Sequence, residues 1–79
     1  MRVLSETVKE GIKIYLFSWN NKYLIKFEWG PLEQVFKIPE EDVLDIKDLQ
    51  CFYEGDFFEN VKKRFDEMGE SLQKQNNFL

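Results

Sequence analysis

The chain has 79 residues, enough for one core with little stability to spare. A third of the residues are charged and 43% are hydrophobic, an ordinary globular balance that excludes a disordered chain. There is no histidine, which removes the commonest general base and metal ligand, and the single cysteine, Cys51, excludes an internal disulfide.

The net charge of −4 is unevenly spread. Residues 1–39 carry six Lys/Arg against four Asp/Glu, and residues 40–79 carry five against eleven. An anionic partner would therefore meet the first half and avoid the second. The opening residues Met1 to Glu6 lack the apolar run of a signal peptide, and no stretch approaches the length of a membrane span. A cytoplasmic protein is the expectation.

In chain order, residues 2–9 are expected to form a first strand that turns at Lys9-Glu10-Gly11. A three-residue loop closing a bulge at Gly11 pairs Val8 with Ile12 and Leu4 with Leu16. A two-residue Glu10-Gly11 turn instead pairs Lys9 with Ile12 and sends Leu4 and Val8 to the opposite face. The bulged register is preferred because it buries Leu4 and Val8, although it also turns Glu6 inward.

Residues 12–19, 22–29 and 32–38 alternate in side-chain direction and are separated by Asn20-Asn21 and Gly30-Pro31. Asn tolerates positive φ, as a type I′ turn needs, and Gly30 can open a type II′ turn ahead of Pro31. These turns pair Trp19 with Lys22, Phe17 with Leu24, Tyr15 with Lys26 and Lys13 with Glu28. They also pair Trp29 with Leu32, Phe27 with Gln34, Ile25 with Phe36 and Tyr23 with Ile38. One face then holds Ile12, Ile14, Leu16, Tyr23, Ile25, Phe27, Trp29, Leu32, Phe36 and Ile38, and is the expected core. The other face mixes Tyr15, Phe17, Trp19, Leu24 and Val35 with Lys13, Lys22, Lys26, Lys37, Glu28 and Glu33. Lys13–Glu28 is expected to pair by charge, and Trp19–Lys22 and Tyr15–Lys26 to set a cation against a ring.

Pro39 and the acids after it predict a short helix over 40–47, with Val43, Ile46, Leu49 and Tyr53 towards one side. Asp56-Phe57-Phe58-Glu59 has the form of a capping box, Asp56 being the expected N-cap of a helix over 57–74. Phe58, Val61, Phe65, Met68 and Leu72 fall in one arc of that helix, with Phe57 at its edge and Gly69 beside it. The fold class is α+β, one domain over 1–79: a four-stranded antiparallel meander, then a short helix and a long amphipathic helix packed on one sheet face.

Chemistry is sparse. Cys51 reads as a buried or half-buried structural thiol with nothing to activate it. Asp42, Asp45 and Asp48 recur every third residue without calcium-loop spacing and read as a solvated face. Lys62-Lys63-Arg64 is flanked by acids at i,i+4 spacing, as in Glu59–Lys63, Lys62–Asp66 and Lys63–Glu67. No catalytic residue, cofactor or metal site is expected.

The remaining candidate is the outer sheet face: Tyr15, Phe17, Trp19, Leu24, Lys26, Val35 and Lys37. Aromatics interleaved with lysines are the ingredients of single-strand binding. The order of four strands and a helix resembles that of a family of dimeric transcriptional coactivators that bind single strands. The resemblance lies in element order, with no residue motif, and implies a nucleic-acid face. The acidic total and the glutamates on the face oppose that implication. The favoured expectation is a non-enzymatic interaction or assembly module that forms a homodimer through this face.

Overall fold

A computed structural model covers residues 1–79. Four strands form one antiparallel sheet in sequential order: β1 (Arg2–Lys9), β2 (Ile12–Trp19), β3 (Lys22–Trp29) and β4 (Leu32–Pro39). Each turn uses the residues that its geometry demands. Asn20 and Asn21 have φ of 49° and 62°, and Glu10 and Gly11 have 51° and 81°, the double positive φ of type I′ turns. Gly30 has φ 60° ahead of Pro31, as a type II′ turn requires. All the expected β2–β3 and β3–β4 pairings are present.

The first strand differs from the preferred reading. Its turn is the two-residue one, so Lys9 faces Ile12 and Val8 faces Lys13 on the outer side. Val8 is exposed, and Glu6 points outward opposite Tyr15. A bulge between Val3 and Ser5 then adds one residue and reverses the alternation, which returns Leu4 to the core. Leu4 is thus buried as expected, by a different device, and Val8 is not. The reason lies outside the strand. The core-side position opposite Ile12 is at the sheet's rim, where the Lys9 ammonium sits 4.8 Å from the Phe58 ring centroid. It also donates to the Tyr53 carbonyl at 2.8 Å. A long amphipathic side chain serves that rim better than valine does.

Residues 40–47 are not one helix. A 3-10 turn, Glu40–Asp42, gives way to extended backbone, and a 3-10 helix, Ile46–Tyr53, follows with Asp45 accepting from the Lys47 amide at 3.0 Å. Ile46, Leu49 and Phe52 recur every third residue, which matches three residues per turn and stacks them on one side. Leu49 is buried there, and Phe52 meets Phe57 edge-on at 4.9 Å. Cys51 points away and is exposed, so the thiol is not the structural one anticipated.

The long helix, α1 (Gly55–Asn76), begins two residues earlier and ends two later than its apolar arc suggests. No side chain caps it, so the expected capping box is not formed; Asp56 instead sits in the first turn, where the helix dipole favours a carboxylate. Gly55 makes the entry at φ 64°. Phe58, Val61 and Phe65 are buried against Ile12, Ile14, Leu16, Ile25 and Phe27, and Leu49 completes that cluster. Phe27 is its hub, with the rings of Phe36, Phe57 and Phe58 at 6.0, 6.2 and 6.3 Å. At 1.5 Å per residue α1 is ~33 Å long, whereas an eight-residue strand spans ~27 Å. The last turns therefore overrun the sheet, and Leu72 stays exposed.

Candidate functional site

Both layers lie on one side of the sheet, so the outer face has no covering element, and register alone composes it. Read across the strands, Val3, Phe17, Leu24 and Lys37 form one row. Glu6, Tyr15, Lys26 and Val35 form the next, followed by Val8, Lys13, Glu28 and Glu33. Trp19 and Lys22 stand opposite each other at one end. Tyr15, Phe17, Trp19, Leu24, Lys26, Val35 and Lys37 thus share this face, as expected from alternation. Val3 joins them opposite Phe17, and so does Val8, which the preferred register of β1 had turned inward. The signal for Val8 was the Glu10-Gly11 dipeptide, since a glycine at the second turn position suits a type I′ hairpin.

Leu24 is the centre of the face. It is 8% exposed, although it belongs to no part of the core cluster under the helix. Its neighbours alone shield it: Phe17 on one flank, and the stem of Lys37 on the other by register. Phe17 and Tyr15 are stacked, with ring centroids 6.0 Å apart and planes 12° from parallel. Val3, Trp19 and Val35 are about half exposed around them.

The polar rim differs in detail from the sequence expectation. Glu28 pairs with Lys26 at 3.6 Å and not with Lys13, because Lys26 also reaches Glu33 at 3.4 Å and draws both carboxylates to itself. The same ammonium lies 5.6 Å from the Tyr15 ring centroid, as expected. Desolvation lowers the pKa of Lys26, but the Glu33 and Glu28 carboxylates outweigh it and raise the net value above the ordinary lysine range. Trp19 and Lys22 make no such ring contact, and Lys37 has no ion-pair partner in the chain.

Elsewhere one group of ionisable side chains is held together by structural contacts. Lys62 bridges Glu10 and Glu59, each at 2.9 Å, and lies 5.5 Å from the Phe58 ring centroid. The expected i,i+4 pairs along α1 are absent, and Lys62 turns towards the β1–β2 turn instead of Asp66. Its hydrogen bonds to Glu10 and then Glu59 raise its pKa, and the bond to Lys62 lowers that of Glu10. No three acidic or thiol side chains converge as a metal site. A shallow groove of about 690 Å³ runs between β4 and α1, with Leu32, Phe36 and Met68 among its lining and Arg64 and Glu67 on its helical side. Gln34 also lines it, donating to the Val61 carbonyl at 3.0 Å while its Oε1 is buried without a partner. No helix is long and apolar enough to cross a membrane. Comparison with known protein families, curated proteins and solved structures finds no match to this chain.

Proposed function

We propose that the chain is a non-enzymatic interaction or assembly module of the cytoplasm that self-associates through the outer sheet face. The observation that carries this reading is the row Val3–Phe17–Leu24, apolar and contiguous, on a face that no element of the chain covers. Single exposed apolar residues need no explanation, but a grouped set with stacked aromatics is the usual form of a contact. A two-fold pairing is the simplest occupant, since one patch then meets its own copy. The charged residues around the patch would form its polar rim.

Phe17→Glu tests this directly. The ring lies outside the core, so the variant should stay folded by circular dichroism. In a face-to-face dimer it would bury an unpaired charge and weaken association at least tenfold in sedimentation. A monomeric wild type at high micromolar concentration, or a Phe17→Glu variant that fails to fold, would overturn the reading. Oligonucleotide binding supplies the contrast. No appreciable binding is expected at physiological salt, because the Lys26 charge is already met by Glu28 and Glu33. Tight, salt-sensitive binding would reassign the face to nucleic acid.

A further inference from the structure

We propose that the β4 edges of two copies pair antiparallel about a two-fold axis at Val35, extending the sheet across the axis. The proposal begins with which backbone groups β4 leaves free. The Glu40 amide donates to the Asn21 carbonyl at 3.0 Å, which sets the phase of the β3–β4 ladder. Hydrogen-bonded pairs alternate with non-bonded ones, so Tyr23–Ile38, Ile25–Phe36, Phe27–Gln34 and Trp29–Leu32 are the bonded pairs. Glu33, Val35 and Lys37 therefore turn their amides and carbonyls away from the sheet.

The two edges are not equivalent. β1 is interrupted by the bulge at Leu4, and its rim is engaged by Tyr53 through Lys9, both of which blunt an edge against pairing. β4 runs eight residues without a bulge. Its own sequence then selects a partner. In a symmetric pairing centred on Val35, Glu33 faces the partner's Lys37, Lys37 faces the partner's Glu33, and Val35 faces the partner's Val35. Opposite charges directly across a ladder are favourable, and like charges are not. Lys37, which has no ion-pair partner within its own chain, gains one there.

Proline narrows the register further. Pro31 and Pro39 have no amide hydrogen. Centred on Val35, they face each other at the two ends, outside the bonded stretch. Moving the axis one residue either way brings a proline opposite Glu33 or Lys37, loses a ladder bond and sets Val35 against a charge. On the core side the chosen register places Leu32 beside the partner's Ile38 and Gln34 beside the partner's Phe36. Of these half-buried side chains, Leu32, Gln34 and Phe36 border the groove that opens along β4.

The contact does not depend on what the outer face binds, and the tests separate the two. Glu33→Lys alone sets a lysine against the partner's Lys37, and Lys37→Glu alone sets glutamate against glutamate. Both sites are exposed, so each variant should keep its circular dichroism spectrum. Sedimentation in the Phe17→Glu background, where no face-to-face contact masks the edge, should find the parent protein dimeric at high micromolar concentration and each charge variant weakened at least tenfold. An equimolar mixture of the two should recover the dimer, because every facing pair is then of opposite charge. Phe17→Glu should leave this edge dimer intact, whereas it would disrupt a face-to-face one. A Phe17→Glu protein that is monomeric at that concentration, charge variants in that background that remain dimeric, or a mixture of them that stays monomeric would each overturn the proposal.

Discussion

Phe27 shows how much a single side chain carries here. It is fully buried, lies on a central strand and touches aromatic rings from both β4 and α1. Phe27→Ala removes that hub and leaves a cavity that the sheet cannot collapse to fill. A loss of ~3–5 kcal/mol is expected, a large part of the stability of so small a protein. Urea denaturation measures it, and a midpoint near that of the wild type would show that Phe27 is not the hub. This position was legible from period-two alternation alone. Leu24 was not. Alternation put it on the outer face, but its burial arises from neighbours on two other strands. Cys51 was misread for a related reason: cysteine is usually buried, but the 3-10 winding of its segment turns it away from Leu49 and Phe52.

Helix α1 illustrates how an element combines propensity with packing. Its buried arc follows a 3.6-residue period and was readable in advance, but its termini were not, because they depend on backbone conformation and on how far the sheet extends. Gly69 tests the division. A methyl group there would meet only the Leu32 side chain, at 3.8 Å, an ordinary contact. The glycine is therefore not needed for close approach of helix to sheet. Gly69→Ala should stabilise the protein by ~0.4–1 kcal/mol, chiefly by restricting the unfolded chain. Thermal or urea unfolding would register the gain, and a loss would mean that the helix sits nearer the sheet. The segment between β4 and α1 was the least legible element. Its apolar residues repeat every three positions, and a short run of that period reads almost equally as an α-helix or a 3-10 helix.

At the scale of the whole molecule, Lys62 ties α1 to the β1–β2 turn through Glu10 while it also pairs along the helix with Glu59. Glu10 has a lowered pKa in the folded state, principally through its hydrogen bond to Lys62. A lowered acid value stabilises the fold above the unfolded pKa, near 4.5, and that contribution is lost as pH falls through the folded value. Glu10→Gln should therefore have a lower melting temperature than the wild type at pH 7, and the difference should close on acidification below the ordinary glutamate range. A difference that persists at pH 2 would show that the clasp does not act through the Glu10 charge.

By itself the sequence determined the strands, the turns that follow β2 and β3, the register of β2, β3 and β4, and the buried face of α1. Each of these follows from residues close together in the chain: side-chain alternation, positive-φ turn residues and helical period. Tertiary structure alone decided the register of β1, the bulge at Leu4, the 3-10 segment and the identity of the ion pairs. The contacts behind these features join distant residues, Lys9 with Tyr53 across 44 positions and Lys62 with Glu10 across 52. Local pattern favoured burying Val8. The sheet's rim favoured Lys9, whose stem could cover Phe58 while its ammonium met an open carbonyl, and one residue of slip then set which side chains the outer face presents.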